Sequence, residues 1–253
     1  MADLDKDREL VGTVAATRTR QLDEHLHALF GGIVQSGPFA GTRLHMPTHW
    51  YLGMAARLVG TIEAHLYPAI DDALTRPLAG IVSVGASDGF FAIGMLRRRA
   101  DLRAILFEMD APHHETIRIN AAANGVADRV EIRGRADAAA LGTAIDELPG
   151  DGPVFLLADC EGAEAEMLDP YRAKGLARAE ILVECHDFKV PGVTDLLVRR
   201  FATTHDVERV VEAGRPIVPH PALAGLHEVD RLLLACEFRP QAMTWLRMRP
   251  KSG

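Results

Sequence analysis

From residue 80 onward, short and continuous apolar runs alternate with helical patterns, and this alternation restricts the fold more than any other feature. Five runs read as strands: "GIVSV", "RAILFE", "RVEIR", "VFLLAD" and "EILVEC". Helices are predicted between and after them, at about 88–99, 111–124, 137–147, 163–168 and 193–201. Strands that are apolar along their whole length are typical of a parallel sheet covered by helices on both faces. The sequence therefore predicts an α/β, Rossmann-like fold.

The alternation of strand and helix patterns ends after the fifth strand. "HDVERVVEA" and "DRLLLACEF" read as two more strands, joined by "GRPIVPHPALAGLHE", a proline-rich segment that is predicted to contain no helix. Two strands joined in this way form an antiparallel pair at one edge. We therefore predict a seven-stranded, mostly parallel sheet with an antiparallel edge pair.

The N-terminal part of the chain has a different pattern. Two helices are predicted, at about 5–29 and 48–74, and Pro68 should kink or divide the second. The predicted organisation is a helical extension over residues 1–75, serving as a lid or interface, and an α/β domain over residues 76–253. Four residues lie at the end of the loop between the two helices and at the start of the second helix: His45, His49, Trp50 and Tyr51. They form either a lid or one wall of a ligand pocket, called the acceptor wall below, or they belong to an amphipathic helix packed on the domain.

Charge and cysteine content limit the partners and the compartment. The net charge of −7 argues against general nucleic-acid binding, which needs a basic face. No window approaches the roughly 18 apolar residues of a membrane-spanning helix, and "MADLDKDREL" is not a signal peptide. Cys160, Cys185 and Cys236 form no CxxC pair, which favours reduced thiols. We therefore expect a cytoplasmic protein without nucleic-acid or membrane partners.

The turn after the first strand, in "IVSVGASDGFFAIGML", is the expected ligand contact, because ligands bind beyond the carboxyl ends of the strands. A dinucleotide site would have G-x-G-x-x-G here, so that pyrophosphate can approach the backbone. This chain has Gly85 but Ser87 at the second glycine position, with Asp88 at the helix entry. A carboxylate there repels pyrophosphate and suits a ligand with a cationic end.

The second and third strands also end in acids. Glu108 follows the turn at about 20 residues, the spacing of a ribose-binding acid, whereas Asp110 fits a helix N-cap better. Asp137 lies where the third strand meets its helix, and it either caps that helix, accepts from an adenine amino group, or does both.

Acids cluster after the fourth and fifth strands. Asp159 emerges directly after the fourth strand, and His186 follows the fifth, so both should face one pocket. "ECHD" contains Glu184, His186 and Asp187, and its residues either carry chemistry or only end a strand. Glu164 and Glu166 are read as ordinary first-turn helix acids.

Together these segments resemble the class I S-adenosylmethionine-dependent methyltransferases, and among them the FkbM-type group. The motifs that carry the resemblance are "VSVGASDGFFAI", "LFEMD", "LADCEGAEAEML" and "LVECHDF", within residues 80–200. The resemblance implies that S-adenosylmethionine is the cofactor. It also implies that the turn after the first strand binds the methionine end. The cofactor-binding set is then Gly85, Ala86, Ser87, Asp88, Glu108, Asp137 and Asp159.

The expected reaction is methylation of a hydroxyl on a small or sugar-like acceptor. An aliphatic hydroxyl must lose its proton during transfer, so His186 is the candidate general base, oriented by Asp159 or Glu184. A divalent ion held by Asp159, Glu161 and His186 is a less favoured alternative. Two other classes share these features, namely an NAD-dependent oxidoreductase and a non-catalytic cofactor-binding protein that dimerises through the N-terminal helices.

Overall fold

The computed structural model describes residues 7–47, 52–212, 220–239 and 241–251. The chain forms two compact units, one from Met1–Tyr67 with Ala213–Gln241 and one from Pro68–Glu212 with Ala242–Gly253. This division differs from the sequence-based boundary after residue 75, because a late segment belongs with the N-terminal unit. No helix within the described ranges is both long and apolar enough to cross a membrane.

The second unit contains a seven-stranded sheet with the order β3-β2-β1-β4-β5-β7-β6. The strands are β1 (Gly80–Val84), β2 (Ala104–Phe107), β3 (Val130–Arg133), β4 (Val154–Ala158), β5 (Ala179–Cys185), β6 (His205–Val211) and β7 (Thr244–Pro250). Strands β1 to β5 pair in parallel, and β7 pairs antiparallel with both β5 and β6. The predicted fold class is therefore confirmed.

Burial explains why the central strands are apolar throughout. Every residue of β1, β2, β4 and β5 is buried. The helices of the described chain are α1 (Arg8–Phe30), α2 (Met54–Val59), α3 (Tyr67–Leu74), α4 (Phe90–Arg98), α5 (Ala111–Ala123), α6 (Ala138–Glu147), α7 (Glu164–Met167), α8 (Val193–Phe201) and α9 (Glu228–Leu233). Helices α6, α7 and α8 supply the apolar side chains that pack with the sheet residues in one continuous core.

The prediction of the last strand was wrong in position. "DRLLLACEF" was read as a strand, but Glu228–Leu233 forms α9, and the strand is the later segment Thr244–Pro250. The side chain of His227 caps α9 by accepting the Val229 N–H at 3.3 Å, and Glu228 lies in the first turn. These are helix start signals, and the short apolar run alone does not distinguish a helix from a strand.

The predicted helix over residues 48–74 is divided before Pro68. Helix α2 ends at Gly60, which has φ +74°, and a Cβ there would lie 2.4 Å from the Ser36 carbonyl oxygen. Pro68 lies in the first turn of α3, where proline is tolerated. Three of the proposed wall residues, His49, Trp50 and Tyr51, lie outside the described residues, and His45 is exposed.

Within the first unit, α1 holds the other helices through charged contacts. The Asp23 carboxylate, on α1, is buried and accepts the Ala55 N–H at 2.6 Å and the Gly53 N–H at 3.2 Å, so it caps α2. Arg18 makes two 2.7 Å hydrogen bonds to Asp230, which joins α1 to α9. These contacts join the two short helices α2 and α9 to the long helix α1.

Candidate functional site

The sheet order places the ends of four strands side by side. Val84 is the register partner of both Phe107 and Ala158, and Ala158 is the partner of Val183. From β1 the strand order runs outward in one direction through β2 and β3 and in the other through β4 and β5. The position between β1 and β4 is therefore the switch point, where α/β sheets bind ligands. The residues that follow these strands therefore form one continuous edge, and the candidate site lies there.

Gly85 brings the turn after β1 close to the end of β4. It has φ +73°, and a Cβ at this position would lie 1.9 Å from the Asp159 carbonyl oxygen. The Asp159 N–H donates to the Val84 carbonyl at 2.9 Å. No side chain fits between the two segments, so glycine is required for this approach as well as for the backbone angle.

The amides of this turn already donate hydrogen bonds within the chain. Gly85 and Ala86 donate to the Phe107 carbonyl at 3.0 and 3.1 Å, and Gly89 donates to the Ala86 carbonyl at 2.8 Å. Ser87, with φ +51°, donates to Glu108 Oε2 at 2.8 Å. A bound pyrophosphate needs such amides as donors, so this turn is poorly suited to it.

Glu108 is held in a fixed orientation at the end of β2. Its Oε2 accepts the Ser87 N–H and its Oε1 accepts the Asp110 N–H, each at 2.8 Å. The side chain is 8% exposed. Each carboxylate oxygen has a second lone pair, so Glu108 can accept two more hydrogen bonds from a ligand.

Asp88 lies at the entry of α4, where the sequence placed it, and it is buried. The side chain is 1% exposed, and its Oδ1 accepts the Phe90 N–H at 3.2 Å at the start of α4. Its carbonyl accepts from Asn120 Nδ2 at 2.9 Å. A contact between this carboxylate and a cationic ligand group stays a prediction.

Asp137 caps α6. Its Oδ1 accepts the Ala140 N–H at 2.8 Å, and the side chain is exposed. The capping role is confirmed, and a contact to adenine through the other oxygen stays a prediction.

His186, directly after β5, has a buried carboxylate as its partner. The side chain is 3% exposed, and Nδ1 donates to Glu164 Oε1 at 2.5 Å. Glu164 is 0% exposed and also accepts the Gly162 N–H at 2.8 Å. Glu164 was read as an ordinary helix acid, and Asp159 or Glu184 was expected to orient the imidazole. Both expectations are corrected, because Glu164 orients it.

The other imidazole nitrogen of His186 faces three carboxylates. Nε2 lies 3.6 Å from Asp159 Oδ1, 3.7 Å from Glu161 Oε2 and 3.8 Å from Glu184 Oε2. Glu184 is 2% exposed, whereas the Asp159 and Glu161 side chains are 39% and 67% exposed. The sequence-based expectation that Asp159 and His186 share a pocket agrees with this distance.

The surroundings raise the pKa of His186. Burial acts to lower it, but the hydrogen bond to Glu164 and the charges of Asp159 and Glu161 outweigh burial, so the pKa lies above the ordinary histidine value. The neutral imidazole, which a general base needs, therefore becomes dominant only above the usual histidine range.

Neither cysteine near this edge is a candidate nucleophile. Burial raises the pKa of Cys185 to about 12, and it raises the pKa of Cys160 as well. Thiols that stay protonated are inert, which leaves the acids and the imidazole as the reactive groups.

Two further side chains were not recognised from the sequence as neighbours of the site. The Phe188 ring, 41% exposed, lies 5.8 Å from the His186 ring between centroids. His114 is half-buried, and its Nε2 lies 2.7 Å from the Glu108 carbonyl oxygen. A histidine one turn into the helix after an acid is the only signal the sequence offered for this contact.

Comparison with known proteins gives the fold. No protein-family model matches the chain, and no curated protein matches it. Among solved structures, the methyltransferase domain of METTL16 is 11% identical with a TM-score of 0.52, covering 83% of this chain and 73% of that chain. A ribosomal protein L11 methylase from Lactobacillus delbrueckii subsp. bulgaricus is 14% identical with a TM-score of 0.51, covering 83% and 86%. The chain shares the overall fold of these methyltransferases.

Proposed function

We propose that this protein is an S-adenosylmethionine-dependent methyltransferase that methylates a hydroxyl group on a small or sugar-like molecule. The observation that carries the proposal is the turn after β1. Its Gly85, Ala86, Ser87 and Gly89 amides donate within the chain, and the oriented Glu108 carboxylate lies beside it. This arrangement favours a nucleoside whose other end is an amino acid over a dinucleotide.

The cofactor contacts follow from the chemistry of each end. Two backbone N–H groups fix the orientation of Glu108 and use one lone pair on each carboxylate oxygen. The second lone pair on each oxygen accepts a hydrogen bond from one of the two ribose hydroxyls. The ammonium of the methionine end meets Asp159 rather than Asp88, because Asp159 is partly exposed beside Gly85 and Asp88 is buried. Asp137 remains the proposed adenine contact.

Methyl transfer from a sulfonium is an in-line displacement, so holding acceptor and cofactor together supplies much of the rate. The acceptor hydroxyl must also lose its proton, and His186 is the proposed group that takes it in the cation-free protein. Its Nδ1 is held by Glu164, which leaves Nε2 directed at the space bordered by Asp159.

The remaining proposals concern partners and compartment. We assign residues 1–75 to an acceptor wall or a homodimer contact, and the exposed Leu10, Val11 and Val14 on α1 support the second. The protein is proposed to act in the cytoplasm on small molecules rather than on nucleic acid or membranes.

Calorimetry with S-adenosylhomocysteine tests the proposed function. We expect the wild-type chain to bind it with a Kd near ~1 μM, about −8 kcal/mol, because the ribose contact is preorganised. NAD and NADP are expected to give no heat, since the Gly85, Ala86, Ser87 and Gly89 amides already donate within the chain and are not available to a pyrophosphate. Tight NAD binding without S-adenosylhomocysteine binding would favour the oxidoreductase and overturn the proposal, and binding without turnover on any hydroxyl acceptor would favour the non-catalytic alternative.

A further inference from the structure

We infer that Asp159, Glu184 and His186 form a binding site for a divalent cation of the Mn²⁺, Fe²⁺ or Zn²⁺ type. One ligand atom from each residue lies within 4.8 Å of the other two. His186 Nε2 is 3.6 Å from Asp159 Oδ1 and 3.8 Å from Glu184 Oε2. Ligand atoms bound at about 2.0–2.2 Å to one ion are about 3.0–3.5 Å apart, so the three atoms must move closer together to hold one ion.

His186 Nε2 points to a ligand independently of the acids. The His186 side chain is 3% exposed. The three carboxylate oxygens that face Nε2 lie at 3.6–3.8 Å, which is beyond hydrogen-bond distance. No hydrogen bond to Nε2 from the described residues satisfies this nitrogen. Nε2 is thus directed at three carboxylates without a hydrogen bond to any of them, and a cation between them would complete this arrangement.

The charges of the cluster also favour a cation. Four carboxylates surround the imidazole: Asp159, Glu161, Glu164 and Glu184. Lys189 forms an ion pair with Glu161. Glu164 and Glu184 are 0% and 2% exposed, so solvent screens their charges poorly. Carboxylates that converge in a poorly screened position attract a cation, and a divalent ion adds two positive charges there.

Glu164 supports the site from behind. A histidine that binds a metal through one nitrogen commonly donates its other N–H to a carboxylate, which fixes the ring and increases its basicity. The 2.5 Å contact from His186 Nδ1 to Glu164 Oε1 has this form. One imidazole and two carboxylates suit Mn²⁺, Fe²⁺ or Zn²⁺ better than Mg²⁺ or Ca²⁺. Glu161, which the sequence suggested as a ligand, is instead 67% exposed and paired with Lys189.

The catalytic role of the ion rests on the proposed function, whereas its binding does not. The ion binds the acceptor hydroxyl oxygen and lowers its pKa, so that the O–H bond breaks and the proton passes to solvent. The oxygen lone pair then forms the bond to the methyl carbon, and the C–S electrons return to sulfur as a neutral thioether. With the ion bound, His186 is a ligand rather than a base.

Titration of chelator-treated protein with MnCl₂, followed by electron paramagnetic resonance of the unbound ion, tests the site. We expect one tight Mn²⁺ equivalent per chain. Affinity should fall more than tenfold in His186→Ala and in Asp159→Asn. Asp159→Asn keeps the test decisive if a buried variant fails to fold, because Asp159 is partly exposed. Glu166→Gln, an exposed acid on the same helix as Glu164, is the matched control and should bind normally.

Two results overturn the inference: no stoichiometric Mn²⁺ in the wild type, or unchanged affinity in Asp159→Asn with folding intact. Parallel titration with S-adenosylhomocysteine separates the two proposals. Mn²⁺ binding without S-adenosylhomocysteine binding would contradict the proposed function and still support the metal site. Cofactor binding without Mn²⁺ removes the metal site and leaves His186 as the base.

Discussion

Replacing His186 with alanine is expected to lower the rate of methyl transfer by about 10²–10⁴-fold, the usual contribution of a positioned general base. Nε2 lies 3.6–3.8 Å from three carboxylate oxygens at the acceptor end of the edge, and loss of the imidazole removes either the base or a metal ligand. S-adenosylhomocysteine affinity should change by only a few-fold, because Glu108 and the turn remain. The rate is measured as transfer of labelled methyl to the best acceptor from a panel of small hydroxyl compounds.

The pH profile gives this variant a second readout. The pKa of His186 lies above the ordinary value, chiefly because the Glu164 hydrogen bond and nearby carboxylates outweigh burial, so the neutral ring gains population only as pH rises through that raised pKa. In chelator-treated, cation-free wild type the rate should rise over the same interval, and the rise should be absent in His186→Ala. His113→Asn, on the helix after β2, serves as the control and should keep the wild-type rate and profile. Near-wild-type turnover in folded His186→Ala would show that the imidazole is structural.

Replacing Glu108 with alanine is expected to weaken S-adenosylhomocysteine binding by about 1–3 kcal/mol, roughly 5–150-fold. The loss is large because the carboxylate is preorganised: the Ser87 and Asp110 N–H groups each hold one oxygen at 2.8 Å. Calorimetry measures the affinity. Circular dichroism checks that the domain stays folded when the hydrogen bonds from the Ser87 and Asp110 N–H groups to Glu108 are lost.

Glu115→Ala is the matched control, since Glu115 is an exposed acid on the helix that follows Glu108. It should bind S-adenosylhomocysteine as the wild type does. Equal affinity in folded Glu108→Ala and in Glu115→Ala would mean that Glu108 only braces the turn, and the ribose assignment would be withdrawn.

The parallel part of the sheet could be predicted because its strands are buried on both faces. Every residue of β1, β4 and β5 is buried, and such strands appear as unbroken apolar runs in sequence. The antiparallel strands are less distinctive. In β6 only the first residue is buried, and the others are half-buried or exposed. β7, "TWLRMRP", contains two arginines, and one of them, Arg247, is accommodated by hydrogen bonds to Glu180 at 2.8 and 3.0 Å. The ion pair between Arg247 and Glu180 cannot be recognised from the sequence. The more apolar segment "DRLLLACEF" was therefore assigned to the last strand instead of Thr244–Pro250.

The site could be predicted in outline but not in its contacts. Strand ends locate Glu108, Asp159 and His186 at one edge, because parallel strands end together. Whether an acid is buried or exposed depends on packing that no spacing reveals. Glu164 and Glu166 are two residues apart on a short helix, yet Glu164 is 0% exposed against His186 while Glu166 is exposed. Asp88 is likewise buried, and its carboxylate accepts the Phe90 N–H at the start of the following helix.

A crystal structure of the protein with S-adenosylhomocysteine tests the central claim most directly, because the claim concerns which atoms meet the cofactor. The account predicts both ribose hydroxyls within about 2.6–3.0 Å of the Glu108 carboxylate oxygens. It also predicts the amino-acid end at the Gly85–Ser87 turn and the sulfur on the side of Asp159 and His186. A ligand bound away from the carboxyl edge, or a ribose more than about 4 Å from Glu108, beyond any hydrogen bond, would contradict it.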